Sequence, residues 1–101
     1  MKFIILFEDN PSAPADIRKI HMGQHLEFLE RNSDVIDAAG PLTDKDGKGR
    51  DGLWIVDVEA HDDAIRLVQE DPFWATGLRK SFDIIAWKQV FAAGIRLINP
   101  R

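Results

Sequence analysis

The sequence predicts a single α+β domain whose elements follow the order strand, helix, strand, strand, helix, strand. Four short apolar segments contain the β-branched and aromatic residues that favour strands, and two longer segments repeat apolar residues at helical spacing. Each of the two amphipathic segments lies between two strands. With 101 residues, the chain is long enough to bury one hydrophobic core and too short for two.

The first half of the chain predicts two strands and one helix. Residues 2–8 are apolar at both alternating sets of positions, which indicates a strand covered on both faces. A proline-containing break follows, and an apolar stripe of helical period then continues to about Arg31. The remaining signals are the N-cap candidates Ser12 and Asp16, a strand at 35–39 and a turn at Gly40 and Pro41.

The second half repeats the pattern with a different connection. The polar, glycine-rich segment 43–52 predicts a hairpin loop. The predicted elements are a strand at 53–59, a helix from His61 to the Asp71-Pro72 pair, and a strand at 82–91. Two helices on one face of a four-stranded antiparallel sheet, connected in this order, form the ferredoxin-like fold.

Composition and charge exclude several classes of function. The net charge is −4 and no cluster of lysine and arginine is present, which argues against nucleic-acid binding. No apolar run approaches the roughly 18 residues that span a bilayer, and Glu8 and Asp9 follow too early for a secretory signal. Cysteine is absent, which removes disulfides and thiolate nucleophiles. We therefore expect a cytoplasmic protein without a nucleic-acid or membrane partner.

The face of the sheet opposite the helices has no predicted element to cover it, although the outer sets of the first and fourth strands are apolar. A second copy of the chain, packed sheet against sheet, is the simplest cover, so we expect a homodimer or larger homo-oligomer. Residues 92–101 follow the domain at 1–91 and are too apolar for a frayed terminus. We expect this extension to pack on a neighbouring subunit.

His25 lies at the centre of the apolar stripe of the first helix, counted at about 100° per residue. It is either a core histidine bonded to a backbone carbonyl or a functional imidazole beside a cavity. The functional interpretation requires a partner that fixes the ring tautomer. Asp71 is the candidate, because a carboxylate bonded to one ring nitrogen leaves the other nitrogen able to move a substrate proton.

The segment that begins at Asp71 admits two interpretations. Aspartate before proline is common in turns for purely local reasons, so Asp71 can be structural. Phe73 and Trp74 either form the wall of a pocket for a flat ligand or belong to the hydrophobic core. The residues by themselves leave these alternatives open.

A metal site is the weaker alternative for the same histidine. His21 and His25 are four residues apart, a spacing that can bind a metal ion with Asp71 as a third ligand. The segment between the histidines lacks the glutamate of a metalloprotease helix, and the glycines at 47 and 49 match no phosphate-binding pattern. We therefore expect neither a metal ion nor another cofactor.

Three short motifs resemble the YCII-related (YciI-like) family in their order and spacing. They are His25-Leu26 with Phe28-Leu29, Ala39-Gly40-Pro41-Leu42, and Asp71-Pro72-Phe73 with Gly77. The resemblance extends from about residue 2 to residue 91. It implies a dimeric α+β barrel, a site centred on His25 and Asp71, and a pocket lined by Gly40 and Pro41. Asp37 departs from the family pattern, in which that strand position is usually apolar.

The resemblance also implies a class of chemistry. One branch of the family removes hydrogen chloride from a chlorinated hydroxyquinol, and similar barrels isomerise lactones or oxidise quinols. We therefore expect a small cofactor-independent enzyme in which His25 and Asp71 promote elimination or isomerisation of a small cyclic or aromatic substrate. Phe73 and Trp74 are expected at the substrate pocket. The alternative is a non-catalytic module that binds a small ligand or serves assembly.

Overall fold

The computed structural model describes residues 1–43 and 51–100, so 44–50 of the predicted hairpin loop lie outside the described residues. The elements in chain order are β1 (Lys2–Asp9), α1 (Ile17–Arg31), β2 (Ile36–Pro41), β3 (Gly52–Asp57), α2 (His61–Glu70), α3 (Pro72–Ala75), β4 (Arg79–Trp87), β5 (Phe91–Ala92) and β6 (Ile95–Arg96). The first four strands form an antiparallel sheet in the order β2-β3-β1-β4. The predicted ferredoxin-like fold is confirmed.

The core lies between one face of this sheet and the helices. In β1, the buried residues Phe3, Ile5 and Phe7 alternate with half-buried ones, as expected for a strand with one fully covered face. The other buried apolar residues of this cluster come from α1, α2, β2 and β3: Phe28, Ile36, Trp54, Val56, Ala64, Leu67 and Val68. Burying one large apolar side chain contributes about 1.5 to 3 kcal/mol, so this cluster is the main source of stability.

The opposite face of the sheet is apolar at its centre. Ile4 of β1 pairs with Ile55 of β3 and Ile85 of β4, so three isoleucines form a row across the sheet. Ile85 is 49% exposed. The row lies on the face away from the core cluster, because side chains of neighbouring strand residues point to opposite faces. We call this surface the open face.

The second strand is longer than predicted. β2 continues to Pro41 and pairs with β3 through Gly40 opposite Leu53 and Pro41 opposite Gly52, so the predicted turn at Gly40 and Pro41 is wrong. Proline is tolerated there because β2 lies at the edge of the sheet, where a missing N–H removes no ladder hydrogen bond. The strand places both residues beside β3 instead of in a loop.

The fourth strand begins and ends earlier than the predicted range 82–91, which is wrong at both ends. β4 ends at Trp87, whose partner Lys2 is the first residue of β1, so no strand remains for the next residues to pair with. Phe91 instead pairs with Arg96 in the short β5–β6 hairpin. At the other end, Gly77 has a φ of 79°, a conformation that glycine adopts without strain, and the chain turns there from α3 into β4.

The helix starts differ from prediction in part. Asp16 occupies the N-cap position of α1, but its side chain makes no capping hydrogen bond, and the backbone N–H of Ser12 bonds to Asn10 in the preceding turn. The predicted N-cap position of Asp16 is therefore confirmed, although its side chain forms no cap, and Ser12 does not cap the helix. α2 begins at His61 as predicted, and the carboxylate of Asp63 accepts a hydrogen bond from the backbone N–H of Ala60. Within the described residues, no helix is both long enough and apolar enough to cross a bilayer.

Candidate functional site

His25 and Asp71 form a buried pair where α1 meets the junction of α2 and α3. His25 Nδ1 lies 2.8 Å from Asp71 Oδ1, and the two residues are 7% and 3% exposed. Pro72 at the first position of α3 ends α2 at Asp71 and fixes the backbone from which the carboxylate projects. When the carboxylate is ionised, the pair requires the proton on Nδ1, and Nε2 is then the nitrogen able to accept a proton.

The same oxygen of Asp71 serves a second structural role. Oδ1 also accepts a hydrogen bond of 3.3 Å from the backbone N–H of Phe73, which is the N-cap interaction of α3. The local structural role and the interaction with His25 are therefore both present. The two alternatives considered for Asp71 are combined in one side chain.

Phe73 is fully buried and packs behind the imidazole. Its ring centroid lies 4.2 Å from that of His25, with an angle of 19° between the planes. The guanidinium carbons of Arg18 and Arg79 lie 5.6 and 5.5 Å from the same centroid, within the range of cation–π attraction. One aromatic ring therefore supports the three polar side chains that surround it.

A cavity of about 190 Å³ opens beside His25. Its wall is formed by α1, β2, β3 and β4 through Arg18, Met22, His25, Leu26, Leu29, Ala39, Gly40, Pro41, Gly52, Trp54 and Arg79. An apolar protein cavity of about 150 Å³ can hold benzene, so a substituted six-membered ring fits here. The ionisable side chains of the wall are one imidazole and two guanidinium groups.

The structure brings together most of the site residues predicted from the sequence. Gly40 and Pro41 lie in the cavity wall, and His25 lies between the cavity and Asp71. Phe73 packs behind His25 and does not line the cavity. Trp74 lies farther away, where its ring packs edge-on against Phe82 at 5.3 Å.

Three charged residues of the site were not predicted from the sequence. Arg79 of β4 is buried and donates a hydrogen bond of 2.9 Å from Nη1 to Asp9, and Arg18 of α1 donates one of 2.5 Å from Nη2 to the other oxygen of Asp9. Burial lowers the pKa of Arg79 below its usual value, and the negative charge of Asp9 opposes this shift. A usable signal existed for Arg18, because it precedes Met22 and His25 by four and seven residues and so shares their helix face.

Gly52 makes room for the buried guanidinium. A Cβ atom built on Gly52 would lie 3.2 Å from Arg79 Nη1, closer than side chains ordinarily approach, and 3.6 Å from the ring of Phe7. At Gly40, on the neighbouring strand, an added Cβ would meet no heavy atom within 4 Å. Gly52 is thus the position where the absence of a side chain matters for packing.

His21 has a local partner on its own helix. Its Nδ1 lies 3.2 Å from Gln24 Oε1. Among residues 1–43 and 51–100, no three His, Cys, Asp or Glu side chains are grouped so that they could hold a metal ion. The structure gives no geometric support for the alternative in which His21, His25 and Asp71 bind a metal.

Residues 1–88 match the YCII-related domain. The chain belongs to the YCII-related family. A comparison of this YCII-related chain with curated proteins found no match. Among solved structures, it is similar to the 5-chloro-2-hydroxyhydroquinone dehydrochlorinase from Burkholderia phenoliruptrix in complex with 2,5-dihydroxybenzoquinone. The two are 28% identical with a TM-score of 0.74, and the match covers 87% of this chain and 94% of that chain.

Two further structures show weaker similarity. One is a dimeric protein of unknown function with a ferredoxin-like fold from Bacteroides fragilis, 19% identical with a TM-score of 0.49, covering 83% of this chain and 90% of that chain. The other is a dimeric ferredoxin-like protein of unknown function from Thermobifida fusca, 17% identical with a TM-score of 0.46, covering 83% and 85%. Neither carries an argument about the function of the YCII-related chain.

Proposed function

We propose that this protein is a cofactor-independent acid–base enzyme that acts on a small oxygenated ring, by elimination of hydrogen chloride or by isomerisation. The observation that carries the proposal is the buried hydrogen bond between His25 and Asp71 beside a cavity large enough for one ring. The similarity to a 5-chloro-2-hydroxyhydroquinone dehydrochlorinase supports the choice of reaction class.

In the proposed reaction, His25 moves the protons and Asp71 orients the ring. Asp71 holds the proton on Nδ1, so the Nε2 lone pair accepts a proton from a substrate hydroxyl. The imidazolium that forms is stabilised by the adjacent carboxylate and returns the proton to a ring carbon. For a chlorinated hydroquinone, loss of a second hydroxyl proton and departure of chloride then give a quinone. The sum is loss of one hydrogen chloride with no external oxidant.

Burial of His25 and Asp71 favours the proposed proton transfer. Water is largely excluded from His25 and Asp71, so the charge that develops on the imidazole interacts with the carboxylate more strongly than it would in solvent. The stack on Phe73 also restricts rotation of the imidazole. Both effects keep Nε2 in one orientation before the substrate arrives.

We also propose that two copies of the chain associate through the open face. The row Ile4, Ile55 and Ile85 is apolar and continuous across three strands, which is the kind of surface that a self-complementary partner buries. In this arrangement, the exposed apolar residues of 92–101, such as Leu97 and Ile98, pack on the neighbouring subunit.

The experiment compares the wild type with His25→Gln and a matched control, His21→Gln. Both substitutions are on α1, but only His25 touches Asp71 and the cavity. Each protein is mixed with 5-chloro-2-hydroxyhydroquinone without oxygen, and chloride release and quinone absorbance are followed together. We expect turnover to fall about 10² to 10⁴-fold in His25→Gln and to be unchanged in His21→Gln.

Two outcomes decide against the proposal. A folded His25→Gln protein with the wild-type rate would show that the imidazole moves no substrate proton. A wild type that binds 2,5-dihydroxybenzoquinone but turns over neither the chlorinated substrate nor small lactones would favour the non-catalytic binding module.

A further inference from the structure

Two guanidinium groups next to the cavity share a single carboxylate. Arg79 Nη1 and Arg18 Nη2 bond to different oxygens of Asp9, and both arginines also line the cavity. Asp71 is the other carboxylate that acts electrostatically on Arg79, and its Oδ1 is already used by His25 and by the start of α3. Among residues 1–43 and 51–100, the two guanidinium groups therefore share Asp9 as the one carboxylate to which they hydrogen-bond.

Arg79 also retains unused hydrogen-bonding capacity. The side chain is 4% exposed, and within the described residues its Nε is buried without a hydrogen-bond partner. A guanidinium has five N–H donors in a fixed plane, and burying a charge without partners is costly. The fold nevertheless keeps this arginine buried, and Gly52 provides the space for it. Such an arrangement is expected where a ligand completes the set of partners.

We propose that Arg79 and Arg18 bind an ionised oxygen of the ring substrate and thereby hold the ring against His25. The three side chains all lie within 5.6 Å of the Phe73 centroid, so one small ring in the cavity can face the guanidinium groups and the imidazole together. The ligand class is a planar ring that carries an oxyanion, either a ring enolate or phenolate or a carboxylate. This inference rests on the proposed function, because it takes the bound ring to be a substrate. It adds that the ring is negatively charged.

The test measures binding and needs no turnover. Three probes are titrated near neutral pH by calorimetry: 2,5-dihydroxybenzoquinone, which carries ring enolate oxygens; benzoate, which carries a carboxylate; and benzamide, a neutral analogue of nearly the same size and shape as benzoate. A hydrogen-bonded ion pair with arginine is worth roughly 10 to 100-fold in affinity. We expect benzoate to bind at least about tenfold more tightly than benzamide.

Substitutions of single arginines show which positive charge causes the preference for benzoate. Arg18→Met and Arg79→Met should each reduce the preference for benzoate over benzamide to within about threefold. Arg66→Met is the matched control, because Arg66 pairs with Asp63 on the surface of α2 and should leave the preference unchanged. Arg18 is the decisive position if Arg79→Met does not fold, because the Arg18 side chain is 34% exposed and its removal leaves the core intact.

Each outcome separates this inference from the proposed function. Equal affinity for benzoate and benzamide in the wild type, or a preference that survives in Arg18→Met, overturns the anion site even if turnover depends on His25. Conversely, anion preference that depends on arginine together with turnover that ignores His25→Gln supports the anion site and contradicts the acid–base proposal. Tighter binding of 2,5-dihydroxybenzoquinone than of benzoate assigns the site to ring enolates, and the reverse order assigns it to carboxylates.

Discussion

The imidazole of His25 and the ring of Phe73 lie in nearly parallel planes with their centroids 4.2 Å apart. This stack connects α1 with α3, two elements separated in sequence by β2, β3 and α2. Since Phe73 is fully buried, its position is fixed by the core, and His25 takes its orientation from the same packing. The arginines that contact the Phe73 ring share this support.

Replacement of Phe73 by leucine is expected to lower turnover by more than the accompanying loss of stability would explain. The smaller side chain leaves space behind the imidazole and should cost roughly 1 to 2 kcal/mol in the free energy of unfolding. The loss of orientation should lower kcat about tenfold with a smaller change in KM. Urea unfolding and steady-state kinetics measure the two effects. Phe91→Leu in the exposed β5–β6 hairpin is the control and should change neither quantity.

Replacement of Asp71 by asparagine is expected to change the tautomer of His25. In the wild type, nitrogen NMR should show a protonated Nδ1 and an unprotonated Nε2 in the neutral ring, because Nδ1 bonds to the carboxylate. An asparagine amide can donate to Nδ1 and so favours the proton on Nε2. Turnover should fall on the order of 10³ to 10⁴-fold while the protein stays folded. Unchanged turnover in a folded variant would contradict the assigned role of Asp71.

Substitution of Gly52 by alanine is expected to destabilise the protein through Arg79. The new Cβ atom would stand 3.2 Å from Nη1, and the same nitrogen is held by its hydrogen bond to Asp9. We expect a loss of about 1 to 3 kcal/mol in the free energy of unfolding. Gly40→Ala on the paired strand is the control, since its Cβ has open space, and should stay within about 0.5 kcal/mol of the wild type.

Introduction of a charge on the open face is expected to separate the proposed dimer. Ile85→Glu places a carboxylate in the isoleucine row, and burying it without a partner is costly enough to favour the monomer. Light scattering coupled to gel filtration should give the dimer mass for the wild type and the monomer mass for the variant. Ile20→Glu changes an exposed apolar residue of α1 and should leave the dimer intact. A monomeric wild type at micromolar concentration would contradict the proposal.

The ion pair between Lys2 and Asp37 is expected to stabilise the folded protein at pH values below the pKa of the lysine. This stabilisation is expected to disappear at higher pH. The ammonium of Lys2 donates a hydrogen bond to Asp37, which raises the pKa of Lys2 above its usual value. Stability from a raised lysine pKa is fully present below the unfolded-state value and is lost as the pH rises through the folded-state value. Asp37→Asn should therefore cost up to about 1 kcal/mol near pH 8, and this cost should shrink near pH 12.

Local signals in the sequence marked both His25 and Asp71, although the residues alone left a structural and a functional interpretation open for each. Helical spacing placed His25 on the buried side of α1, and the proline after Asp71 marked the end of α2. Asp37, which departs from the family pattern, is paired with Lys2 in the structure.

The arginine pair could not be predicted in the same way. Arg79 precedes the range in which apolar alternation predicted the fourth strand, so nothing in its own neighbourhood marked it as buried. Its partner Asp9 is 70 residues away and becomes a neighbour only when β4 pairs with β1. An ion pair of this kind depends on strand register, which short sequence patterns do not specify.

Asp71 Oδ1 accepts a hydrogen bond from the first turn of α3 and another from His25. The orientation of the imidazole is therefore conditional on local folding of the segment that starts at Pro72. A molecule in which that turn has opened also loses the contact that orients His25. Because Phe73 anchors the same turn in the core, the orientation of the imidazole is coupled to the packing of the whole domain.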